Sequence, residues 1–244
     1  MQLLTLHHYK LNKALARGFY TPGLTLSPAN ELSQISGEYF PSSCPYYGEC
    51  EKVCLVVTGH NVYPTHAIAR ARRTEFFWKN RNQFIVQLLK ELDKQLLRAT
   101  RKGLKFAARL NLLSDLEVLP ELVSAARPGM LLYDYTKVPP RYWKQIPNYH
   151  RTYSVSEKTT AREVQECIDQ NINLAVVFNL QKGAALPQTT TLHGHRFKVF
   201  DADIDDCRWF DTFRTSRIAG LRFKGSKANM DTVAGSFIKV TTVF

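Results

Sequence analysis

The chain of 244 residues is 44% hydrophobic and 11% aromatic, with only 12 glycines and 11 prolines. That excludes a disordered, low-complexity or collagen-like polymer and fits one large domain over residues 1–244. Lys and Arg number 33 against 21 Asp and Glu, a formal net charge of +12, which favours a polyanionic partner, nucleic acid or a nucleotide. No apolar run of about 18 residues occurs, as a transmembrane helix would need. The opening MQLLTLHHYK lacks the basic-then-apolar pattern of a secretory leader. The expectation is a protein of the cytoplasm, the host cell's if it is viral, with no membrane partner; its oligomeric state is left open.

Residues 1–64 read as an N-terminal segment, and their distinctive feature is a loop with three cysteines, Cys44, Cys50 and Cys54, spaced C-x5-C-x3-C. Five cysteines in all, an odd number, with no export signal argue against a disulfide framework. Thiolates are soft-metal ligands, and three from one loop can hold zinc or three irons of a [4Fe–4S] cluster. His60, His66 and Cys207 are available as a fourth ligand. Paired histidines also stand at His7-His8 and His193-Gly194-His195. They lack the bulky apolar residue between them that rolling-circle nucleases require.

Residues 65–244 read as a βα core. Phe76, Phe77, Phe84, Ile85, Leu88, Leu89, Leu92, Leu96 and Leu97 recur at spacings of three and four, predicting one or two helices over 65–102. Between Arg70 and Arg109 twelve basic residues face three acidic ones. Within that stretch Arg70, Arg72, Arg73, Lys79 and Arg81 are the candidate nucleic-acid contacts. Strands are predicted over 105–111, 130–136, 148–156, 173–179, 197–202 and 218–223, with helices opening near Ser114 and near Thr159. Strands spaced by helices imply a parallel sheet, and about six of them predict a partial (βα) barrel, an α/β fold carrying the cysteine-rich loop at its N-terminal side.

Each predicted strand ends on polar residues: Asn111 and Asp115; Asp134 and Lys137; Ser156 and Glu157; Asp201, Asp203, Asp205 and Asp206; Lys224. Ligands of parallel α/β folds bind at those carboxyl ends. Five carboxylates lie between Asp201 and Asp211, a density that suits acid/base work or a hard cation.

The ordered blocks R-L-N-x2-S-D, Y-D-Y-T-K, N-Y-H-x-T-Y-S-x-S-E, N-x-A-V-V-F, D-A-D-x2-D-x-R-x2-D and G-L-R-x-K-G follow the cysteine block. In this order they resemble the phage and mobile-element proteins of the mycobacteriophage gene-product-88 family, whose function is not established. The resemblance runs from about Ser43 to about Phe237. A three-cysteine loop on a partial barrel is also similar to the radical S-adenosylmethionine enzymes, whose usual spacing is C-x3-C-x2-C. By the matching positions, the resemblance implies a site with Cys44, Cys50 and Cys54 on metal. Asp115, Asp134, Lys137, Glu157, Asp201, Asp203 and Lys224 would be catalytic, and Asn111, Ser156, Asp206 and Arg208 would bind cofactor. The function expected is that of an iron–sulfur or other metal-dependent phage enzyme acting on a nucleotide or nucleic acid, with S-adenosylmethionine as a further cofactor. The alternative is a non-catalytic nucleic-acid-binding phage protein in which zinc staples the cysteine loop.

Overall fold

A computed structural model describes residues 1–6 and 12–233 of the chain. His7-His8 therefore lies outside the described residues. Ahead of the cysteine loop the elements are short: β1 (Leu4–Thr5), β2 (Phe19–Tyr20), β3 (Gly23–Leu24) and α1 (Glu31–Ser36). The cysteine loop follows as a succession of 3-10 turns at Glu49–Val53, Leu55–Val57 and Gly59–Val62.

The predicted helical stretch forms two helices, α2 (Pro64–Lys79) and α3 (Arg81–Arg101), which break at Asn80. Pro64 starts α2, where its missing N–H costs nothing. On α3, Phe84, Leu88, Leu92, Gln95 and Ala99 form the buried face, the spacing of one side of a 3.6-residue turn. After β4 (Lys105–Phe106) come α4 (Val118–Ala126), β5 (Leu132–Thr136), β6 (Tyr149–Ser154) and α5 (Ala161–Asp169). A reciprocal cap between Thr160 and Glu163 opens α5, satisfying two otherwise orphaned backbone donors. The chain continues with β7 (Leu174–Phe178), β8 (Thr189–Leu192), β9 (His195–Asp201), β10 (Ile218–Arg222) and α6 (Lys227–Asp231).

The main sheet has six strands in the order β5-β6-β7-β10-β9-β8. All neighbours are parallel except β8, which pairs antiparallel with β9. β1 with β3 and β2 with β4 form two further two-stranded sheets, and an isolated bridge joins Ala108 to Leu132. This corrects the predicted partial barrel: no closed barrel forms. A (βα) barrel sets successive strands side by side, whereas β10 slips between β7 and β9, and an antiparallel strand terminates the sheet. Gly220 permits the insertion, since a Cβ there would stand 2.8 Å from Val199 Cγ1. His193 and Gly194, with φ of 46° and 82°, make the two-residue turn between β8 and β9. Positive φ at both central positions is the signature of a tight hairpin, so this His-Gly-His motif is a turn.

Alternation along β5 sends side chains to two different cores. Leu132 joins the largest cluster, with Phe77 of α2, Phe84, Leu88 and Leu92 of α3 and Leu119 of α4. Tyr133 packs instead with Phe19, Cys207 and Trp209, its ring 4.8 Å from that of Trp209. The second large cluster joins α5, through Val164 and Cys167, to β6, β7, β9 and β10. Cys167 and Cys207 are both fully buried and behave as small core side chains.

Candidate functional site at the carboxyl edge of the sheet

The cysteine loop lies across the ends of several strands. Its start is fastened to the 111–115 segment: the Asp115 amide donates to the Ser43 carbonyl at 2.8 Å, and Cys44 Sγ reaches the Leu113 carbonyl at 3.4 Å. Its middle is fastened to the turn after β6, where the Glu49 amide donates to Glu157 Oε1 at 3.0 Å and Lys158 Nζ donates to the Tyr47 carbonyl at 2.7 Å. A Cβ at Gly48 would land on the Glu157 carboxylate, so the bare backbone there leaves room for that carboxylate to accept from Glu49. Val53 then packs with Val177 at the end of β7 and with Phe223 just past β10.

This brings the loop within electrostatic reach of Lys137, the residue that follows Thr136 at the end of β5. Burial disfavours the Lys137 ammonium, yet Cys50, Asp115, Cys44 and Cys54 together hold its pKa above the ordinary value. Cys44 feels Asp115 and Cys54 in turn, and Cys54 feels Cys50. Burial pushes the Cys44 thiol up to about 12 and raises Cys54 as well, so both stay protonated at neutral pH. Asp115 is raised by burial and accepts the Lys137 amide at 2.8 Å. The group comprises one cation, three soft nucleophiles and one carboxyl, all half-buried.

Three thiols on one loop are the donor chemistry of a soft metal, and a metal would itself deprotonate them. As the side chains stand, however, no group of three His, Cys, Asp or Glu among the described residues already forms a metal-holding arrangement. Cys207 is buried against Tyr133 and Trp209 and is no fourth ligand here. His60 and His66 are exposed.

The other predicted residues divide clearly. Asn111 is turned inward: its amide donates to Asp134 Oδ1 at 2.8 Å, and its Oδ1 accepts from Ser114 Oγ and the Leu116 amide, both at 2.9 Å. Asp134 is wholly buried and also accepts from Tyr149 at 3.2 Å. Burial raises its pKa to about 7, against the pull of Arg109 and Asn111. Ser156 shapes the turn before α5, its amide donating to Thr159 Oγ1 and its hydroxyl accepting from the Lys158 amide. Glu157 is the clamp on the cysteine loop.

The acidic segment is neutralised from within the chain. Asp201 pairs with Arg222 at 2.9 Å, and Asp203 pairs with Arg222 at 3.1 Å and Lys224 at 2.5 Å. Asp205 pairs with Arg17 and Arg208, and Asp206 pairs with Arg109 at 3.0 Å. Burial opposes ionisation of Asp201 and Asp203, but hydrogen bonds from Arg222, and from Lys224 to Asp203, hold both pKa values below the carboxylate range.

Between these two regions opens a cleft of about 1460 Å³, lined by Asp201, Asp203, Asp205, Asp206 and Lys224 of the predicted strand-end residues. The cysteines themselves do not line it, but the residues directly after them do: Leu55 and Thr58–Asn61 form one wall, with Arg70 and Arg73 of α2. Arg109, the acidic segment, Lys224, Lys13 and Lys182 supply the rest. Seven Lys and Arg meet four Asp there, so the lining is net basic. Lys13 and Lys182 carry no motif that singles them out in the sequence. Of the five predicted nucleic-acid contacts, Arg70 is buried and paired with Glu31 at 2.5 Å. Arg73 donates to the Gln2 and Thr25 carbonyls, and Arg72 is exposed. Lys79 pairs with Glu75 and Glu38, and Arg81 stacks on Phe77 and Trp78.

A family model for Gene product 88 matches residues 4–234, spanning both the cleft and the cysteine loop. The chain belongs to the Gene product 88 family. That match bears out the resemblance read from the ordered blocks, and it lends no support to the radical S-adenosylmethionine one. No curated protein and no solved structure matches the chain. Among the described residues, no helix is long and apolar enough to cross a membrane.

Proposed function

We propose that the protein is a phage-family enzyme whose reactive centre is the cysteine loop and whose substrate, a nucleotide or a nucleic-acid segment, lies in the adjoining basic cleft. One observation carries the reading: a loop with three free thiols is fastened across the carboxyl edge of a parallel sheet, to Leu113, Asp115 and Glu157. The loop continues directly into the wall of the cleft. Cys44, Cys50 and Cys54 would hold an iron–sulfur cluster. Such a group supplies redox or Lewis-acid chemistry at a metal position that three thiolates leave open.

The chain's own residues have separate tasks in this scheme. Lys137, next to the thiols, offsets their negative charge on ionisation and can hold an anionic group of the substrate. Asp115 fixes the backbone at Lys137. Arg73 and Lys182, for which no carboxylate stands within ion-pair distance among the described residues, give the cleft positive charge suited to phosphate. Glu157 positions the loop.

Anaerobic purification tests the reading. Brown protein containing iron and sulfide, lost in a Cys44→Ser/Cys50→Ser/Cys54→Ser variant, supports it. Colourless protein with stoichiometric zinc would replace it by a zinc-stapled binding protein. Metal-free protein with no iron uptake on reconstitution would overturn it.

A further inference from the structure

α3 carries a second feature that the site does not use. Its buried face, Phe84, Leu88, Leu92, Gln95 and Ala99, turns into the core. At 100° per residue Lys90 and Arg101 lie on the opposite side and Lys94 and Arg98 on the adjoining flank, all four exposed. Steps of four, four and three residues place successive cations about 6, 6 and 4.5 Å apart along the axis. Like charges at that spacing repel, and nothing on the helix relieves them. The two acids of α3 are occupied elsewhere. Glu91 accepts from the amides of Leu3 and Leu4 and from Gln87, and Asp93 pairs with Arg127 at 2.6 Å. None of the four cations has a carboxylate within ion-pair distance among the described residues, whereas Lys79 on α2 has two. Lys102 and Lys105, both exposed, extend the stripe into β4.

We infer that the outer face of α3 is a docking track for the phosphate backbone of a nucleic acid. A closely spaced band of cations without carboxylate partners complements a polyanion and reads no sequence. The helix does not suit a lipid surface, because its apolar side is already spent on the core and only isolated residues such as Val86 and Leu97 are exposed on the other. The track ends at the amino end of β4, whereas the cysteine loop and cleft lie at the carboxyl ends of the strands. It therefore holds nucleic acid independently of what the cysteines carry.

The test is binding of short single-stranded and duplex DNA by fluorescence anisotropy as salt is raised. Four neutralised phosphates predict a log–log slope near −3 to −4, and so about a hundredfold weakening between roughly 50 and 200 mM salt. Lys90→Glu/Lys94→Glu/Arg98→Glu/Arg101→Glu should abolish that binding, and Lys94→Gln/Arg98→Gln should lower the slope by about 2. Neither variant touches the core, and unchanged circular dichroism and metal content separate a failed track from a failed cysteine centre. Equal affinity and slope in wild type and the fourfold variant would overturn the inference. So would binding to vesicles of anionic phospholipid with none to DNA.

Discussion

Around Asp201–Asp206 every carboxylate is met by an arginine or lysine of the same chain, whereas Lys137 lies within electrostatic reach of three thiols and a carboxyl. Both regions flank the same cleft. The first is a closed circuit: its charges cancel, its hydrogen bonds are made, and its work is to hold β9 and β10 together. The second keeps nucleophiles near a cation without consuming them. Charge that is internally matched stabilises; thiols that are not joined in a disulfide are available to a ligand. The comparison implies that substitutions in the acidic circuit cost stability, while those in the thiol group cost activity and leave the fold standing.

The largest expected effect falls on the circuit. Arg109→Met would strand Asp206 and Asp134 in the interior, and breaking one side of a buried pair costs about 3–5 kcal/mol; urea unfolding measures it. A loss below about 1 kcal/mol would erase the distinction between the two regions.

The pH dependence of stability separates carboxylates of opposite kind. Asp134, raised to about 7, binds a proton when folded that it lacks when unfolded. Its contribution is therefore full below the ordinary carboxylate pKa and fades as pH rises towards 7, by at most about 1.4 kcal/mol per unit. Asp201 and Asp203, held low, contribute above the ordinary value and lose that contribution as pH falls through their depressed one. Asp134→Asn should flatten the decline between about pH 4 and 7, and Asp203→Asn should soften the acid limb. Unfolding midpoints across pH decide both.

Replacing all three cysteines by serine should shift the stability of the metal-free protein by less than about 1 kcal/mol, as for partly exposed positions away from the core, while abolishing iron uptake. Global unfolding of that variant would show that the thiols are structural after all. The smallest effect concerns α3. Lys94→Glu would create opposite-charge neighbours at Lys90 and Arg98 and should stabilise the helix by a few tenths of a kcal/mol per pair, seen as a slight rise in Tm alongside weakened DNA binding.

Much of the strand content was legible because burial on both faces writes a continuous apolar run, as in Leu174–Phe178 and Ile218–Arg222. Neighbour order was not. Nothing local in Ile218–Arg222 says that it inserts between β7 and β9, and that insertion is what separates the observed sheet from the expected barrel. β8, Thr189–Leu192, was missed because it is a half-exposed edge strand with three threonines and no apolar run. The meeting of the cysteines with Lys137 was readable in outline, since Lys137 ends a predicted strand. The burial of Arg70 depends on Glu31, a partner 39 residues away. The cleft's Lys13 and Lys182 are brought together only by tertiary folding.

The clasp at Glu157 joins the cysteine loop to the turn that leads into α5. Glu157 stands three residues ahead of the Thr160 cap that starts α5, so whatever lifts the cysteine loop also tugs on the first turn of that helix. Amide exchange at residues 161–163 would then serve as a remote gauge of whether the loop is loaded, read from backbone positions that touch neither sulfur nor substrate.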